Sequence, residues 1–129
     1  MKNPVPGMPD FWRGYSKGFD YDMSGTQART GSRSVHVLND SLSDFRGVYV
    51  RVDLAQDSAE AVEISGWSKA VGVSGNPDND YALYVDSWYT DGTPLYGQCA
   101  RFSTGTHDWE YSSFVIRPEK PIKIGRAHV

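Results

Sequence analysis

The sequence has one cysteine, no apolar run of membrane-spanning length, almost no helical periodicity and no excess of positive charge. Each shortage excludes something. Cys99 alone can close no internal disulfide, and a single thiol fixes no redox compartment. A membrane helix needs ~20 consecutive apolar residues, and no run here approaches that. The opening M-K-N-P-V-P-G-M-P-D has no hydrophobic region behind its lysine, so no secretory leader is read there. With 13 Lys+Arg against 16 Asp+Glu, the net charge of -3 argues on composition against nucleic acid, whose phosphates are met by clustered cations. The one stretch with any helical character, L-A-Q-D-S-A-E-A-V (54–62), is too short and too poorly patterned to hold a helix. No nucleophile motif, metal-ligand cluster or glycine-rich phosphate loop occurs.

What is present is β-pattern and aromatics. The 129 residues leave room for one domain with a real core, and 39% apolar with 22% charged residues is the balance of a folded chain. Four Trp and eight Tyr must be accommodated. Alternating segments recur between clusters of Gly, Asp, Asn and Pro, and predict strands near 34–39, 47–54, 61–70, 81–90, 95–102 and 109–117. G-N-P-D-N-D (75–80) reads as a loop, and D-G-T-P (91–94) as a tight turn, because Asp-Gly tolerates the positive φ such turns demand. Residues 1–32 are glycine-rich, with Phe11, Trp12, Phe19 and Tyr21 suggesting one or two short strands. Many short strands and no helix predict an all-β fold, a β-sandwich of jelly-roll type.

Alternation then assigns faces. Val48, Val50, Val52 and Leu54 take the core side of one strand, with Tyr49, Arg51 and Asp53 opposite. Val62 and Ile64 point inward from the next, Leu83 and Val85 from the one after, and Phe114 and Ile116 from the last. That leaves Trp67, Tyr84 and Trp88 facing outward among Glu63, Lys69 and Asp86, with Tyr96 and Gln98 rimming the same face. Exposed aromatics among polar groups mark a binding surface. A pyranose packs its C–H face on an indole or phenol while carboxylate, amide and ammonium groups bind its hydroxyls. The plainer alternative is that the N-terminal segment or a loop covers these rings. Catalysis is a second alternative, with Glu63 and Asp86 as a carboxylate pair across a sugar, although an open face lacks the burial that tunes a general acid. T-H-D-W (106–109) reads as a turn and Cys99 as a buried, inert thiol. A third alternative is a structural or adhesion module making protein–protein or interdomain contacts through its aromatics.

G-S-R-S-V-H-V (31–37), R-G-V-Y-V-R-V (46–52), E-I-S-G-W-S-K (63–69), Y-T-D-G-T (89–93) and G-T-H-D-W-E-Y (105–111) follow one another in this order. Over about residues 19–123 the set resembles the galactose-binding-like jelly-roll carbohydrate-binding modules of families 4, 9 and 22. The resemblance implies a non-catalytic module that binds polysaccharide or oligosaccharide chains and targets a glycoside hydrolase or polysaccharide lyase in the same parent chain. It also implies an extracellular or cell-surface setting, and a structural calcium for which Asp20 or Asp22 in F-D-Y-D-M-S-G would supply oxygens. The sequence departs from the family's pattern at two places: the opening Asn-x-x-Phe-Glu is not clear, and the closing strand with Phe-Asp-Asp is missing.

The end of the chain departs furthest. I-G-R-A-H-V (124–129) continues no alternation and matches the translation of a common sequencing adapter, ATC GGA AGA GCA CAC GTC. The reading is therefore an incomplete sandwich over 1–123, short of one or two strands, followed by a non-native tail over 124–129. An unfilled sheet edge predicts poor solubility.

Overall fold

The structure, a computed structural model, describes residues 12–15, 21–24, 28–31, 34–40 and 45–129. Among these residues every regular element is a strand: β1 (Trp12–Tyr15), β2 (Tyr21–Ser24), β3 (Ser34–Val37), β4 (Gly47–Asp53), β5 (Val62–Val73), β6 (Ala82–Tyr89), β7 (Pro94–Arg101), β8 (Gly105–Ile116) and β9 (Ile122–His128). The chain divides into two compact units, Met1–Val50 and Arg51–Val129. In the first, β1 pairs antiparallel with the start of β4, from Trp12 opposite Val50 to Tyr15 opposite Gly47. β2 pairs with β3, from Tyr21 opposite Val37 to Ser24 opposite Ser34. Trp12 and Tyr21 thus lie in short strands as expected; Phe11 and Phe19 fall outside the described residues.

The second unit is an antiparallel β-sandwich. One layer carries β9, β6 and β7 in that order; the other is the long pair β5–β8, with Val62 opposite Ile116 and Trp67 opposite Tyr111. Val85, Tyr89, Ile116 and Ile122 form the centre of the core, and Leu54, Val62, Ile64, Leu95, Phe114 and Ala127 pack around them. The inward set follows the period-2 alternation of the strands, as a sheet with one covered face requires. Gly66 is inward too, and a Cβ there would lie 3.1 Å from Leu83 Cδ2, so glycine lets the two layers approach.

Two expectations are corrected here. Val52 is 45% exposed, because alternation fixes the direction of a side chain but not whether the facing layer extends over it. T-H-D-W is no turn: it lies inside β8, which starts at Gly105 after the true connection over 102–104. The final residues are placed in a strand as well. Residues 122–128 form β9, antiparallel to β6 from Tyr89 opposite Ile122 to Tyr84 opposite His128, and Ile122 is fully buried. Backbone amides and carbonyls supply the pairing, so a segment without alternation can fill a ladder when its inward positions, such as Gly125 and Ala127, are small. The D-G turn forms as expected: Gly92 has φ of 87° and its amide donates to Tyr89 O at 2.9 Å.

Candidate functional site

The outward aromatics occupy two separate faces. β5 pairs with β8, whereas β6 pairs with β7 and β9, so β5 and β6 belong to different layers. Glu63, Trp67 and Lys69 stand on the outer face of β5–β8, where Trp67, 44% exposed, packs against Tyr111, 49% exposed, at 5.2 Å between ring centroids. Tyr84, Asp86 and Trp88 stand on the outer face of β6. Trp88 meets the edge of Tyr96 at 5.6 Å and 78°, and Asp86 Oδ1 accepts from Gly97 N at 3.0 Å. The Gln98 amide reaches Tyr96 O at 3.4 Å. The expectation of one shared face is thereby corrected, since strands adjacent in sequence need not be adjacent in a sheet. For the same reason Glu63 and Asp86 form no carboxylate pair across a substrate.

A shallow cavity of about 180 Å³ lies beside Trp88, lined by Arg51, Ile124, Gly125 and Arg126. It is smaller than the ~300–1,000 Å³ usual for a small-molecule site. Cys99 lies opposite Tyr84 in the ladder, half-buried, with its Sγ donating to Asn79 Oδ1 at 3.1 Å, and so is not the buried thiol expected. Among the described residues no group of three or more His, Cys, Asp or Glu gathers to hold a metal. Calcium takes about 6–8 oxygens; Asp20 lies outside the described residues, and for Asp22 only the backbone pairing in β2 is described.

A polar cluster that the sequence did not reveal lies at the β7–β8 connection. In a regular strand, residues 107 and 110 point to opposite faces. Between Ser68 and Ala70 of β5, however, β8 runs from Glu110 to His107, one residue more than its partner. This bulge turns both side chains the same way. Glu110 Oε1 accepts from Ser103 N at 2.7 Å and Oε2 from Ser103 Oγ at 2.6 Å. His107 Nε2 lies 2.9 Å from Ser103 O and 3.8 Å from Glu110 Oε1. The Ser103 hydroxyl and amide hold the Glu110 carboxyl below the usual carboxylate range. Tyr81 stacks beside His107 and shares a hydrogen bond with Ser68, and burial pushes its phenol up. T-H-D-W (106–109) reads as a turn in the sequence, and the odd spacing of His107 and Glu110 hides their shared direction.

Fold and site together define an antiparallel β-sandwich with two aromatic outer faces and a Ser–Glu–His clamp on one connection. By sequence, 107 residues, 82% of the chain, are 32% identical to "tRNA nuclease WapA" of Bacillus subtilis (strain 168). Identity and extent are the same for "tRNA(Glu)-specific nuclease WapA" of Bacillus subtilis subsp. natto and "tRNA3(Ser)-specific nuclease WapA" of Bacillus spizizenii. The chain spans 4% of the length of these relatives. No family model matches it, and no solved structure does.

These relatives overturn the polysaccharide reading. The expected carbohydrate-binding function, the role as a non-catalytic accessory of a carbohydrate-active enzyme, the polysaccharide partner and the exclusion of nucleic acid are all corrected, because the relatives are named as enzymes acting on tRNA. Two physical reasons explain the error. An aromatic ring on a sheet face stacks on a nucleobase as readily as on a sugar. A net charge of -3 describes these 129 residues and not the much longer relatives, of which the chain spans 4%.

Proposed function

We propose that this chain is a β-sandwich section of a WapA-like tRNA nuclease, and that the long protein to which it belongs cleaves tRNA. The observation that carries the reading is the 32% identity sustained over 82% of the chain. Three relatives supporting it are all named for action on tRNA. The antiparallel sandwich is compatible with one section of such a polypeptide. The jelly-roll winding belongs to the same proposal, supported by two antiparallel layers around one core. A long parent protein containing this section, purified and incubated with tRNA, should give discrete cleavage products. Intact tRNA after incubation with a demonstrably folded parent would remove the reading.

A further inference from the structure

β5 runs for 12 residues without a proline, and among the described residues it pairs with β8 alone. In an antiparallel ladder alternate residues turn their amide and carbonyl away from the partner strand. β5 therefore carries a row of such groups along its other side, and a long regular edge is a template for a further strand. β7, at the edge of the other layer, is blunted. It opens on Pro94 and bulges between Leu95 and Gln98, where Gly97 has φ of 74°. β5 has no such device before its last turn: the extra residue beside Ser68 and Ala70 belongs to β8, so β5 stays regular from Val62 to Ala70.

The side chains say what this edge fits. Glu63, Ser65, Trp67, Lys69 and Val71 form the exposed row of β5, continued backwards by exposed Ala61. Reversed about Gly66, that row is its own complement: Glu63 falls on Lys69, Ser65 on Trp67 and Ala61 on Val71. The inward row does the same, with Val62 on Ala70 and Ile64 on Ser68. We propose that β5 is the interface of a symmetric dimer, pairing antiparallel with β5 of a second copy about a two-fold axis at Gly66. Opposite charges then meet at both ends of the contact, each supporting the pairing. A small serine stands beside each Trp67 ring, 44% exposed in the single chain, and Val71, 83% exposed, gains Ala61 as an apolar neighbour. Sliding the register by two residues either way sets Glu63 against Trp67 or Val71 and unpairs the charges. A slip of one residue opposes the outward row to the inward one. The contact is isologous, so it closes at two copies in the order β8–β5–β5–β8 instead of growing. It stands apart from the tRNA reading.

Charge reversal in the whole chain tests this. Sedimentation equilibrium at low salt should show a monomer–dimer equilibrium for the unchanged chain. Glu63→Lys and Lys69→Glu each set like charges against one another at both ends, and each should weaken dimerisation about tenfold or more. An equal mixture of the two variants should recover it as a heterodimer, since every lysine then meets a glutamate. Backbone amide exchange in the unchanged chain should slow at alternate residues of β5 as concentration rises. A monomer at every concentration would overturn the proposal, as would a dimer whose β5 amides exchange as fast as the monomer's. A mixture that associates no more tightly than either variant alone would overturn it too. Should a variant fail to fold, the concentration dependence of β5 amide exchange in the unchanged chain still decides.

Discussion

Gly66 shows how much one missing side chain can matter. It lies inward on β5, and the nearest atom to an added Cβ would be Leu83 Cδ2 at 3.1 Å, tighter than ordinary contact. Gly66→Ala is expected to cost about 1–3 kcal/mol through overpacking. Leu83→Val in the same chain should recover part of that loss, giving a coupling of about 0.5 kcal/mol or more in a double-mutant cycle followed by urea unfolding. Strict additivity would show that the layers have room at this point. Sequence signals for such residues were uneven. The inward Val62, Ile64, Leu83 and Val85 were legible, because alternation encodes direction. His107 and Glu110 were not, because a bulge shifts the period by one and leaves no mark in composition. Val52 was legible in direction but not in exposure.

The hairpin between β6 and β7 shows what an element adds. Asp91 accepts from Lys120 Nζ at 2.8 Å and from the Thr93 hydroxyl and amide at 2.6 and 3.0 Å, and Lys120 also stands 4.7 Å from the centre of the Tyr89 ring. Hydrogen bonds from Lys120 and then Thr93 hold the Asp91 carboxyl well below the usual carboxylate range. Glu110 is shifted in the same direction by Ser103. Both groups are depressed on folding. Their contribution is therefore fully present above the ordinary carboxylate range, near pH ~4, and is lost as pH falls through the folded values. Asp91→Asn with Glu110→Gln should flatten the fall in thermal midpoint on acidification below that range. A double variant whose acid profile parallels the parent's would assign the acid sensitivity to other carboxylates. The turn itself was readable from Asp91-Gly92, since its requirement for positive φ is local. The length of β8 was not, because pairing with β5 extends it through T-H-D-W, a stretch with turn-like composition.

At the scale of the whole molecule, layer assignment decides which surfaces exist. Strands five and six follow one another in sequence, yet they enter opposite layers, separating Trp67 from Tyr84 and Trp88. The end of the chain matters at this scale too. β9 covers one side of β6, the amides of Leu54 and Ala55 donate to Lys123 O at 3.0 and 2.9 Å, and Ile122 lies at the centre of the core. Deleting 124–129 should uncover the β6 edge from Trp88 to Tyr84, lower the unfolding midpoint and promote association, which light scattering during urea unfolding would report. An unchanged midpoint with no added scattering would mean that β6 does not rely on this strand.

The sequence by itself determined the all-β class, the positions of six of the strands to within a few residues, the Asp-Gly turn and most of the inward side chains. These are local properties, set by alternation and by the φ preferences of single residues. Tertiary structure decided which strands became neighbours, how far β8 extends, where its bulge turns His107 and Glu110 toward Ser103, and that the final residues pair as β9. Those outcomes depend on long-range pairing through backbone groups that every residue carries, so side-chain pattern alone could not specify them.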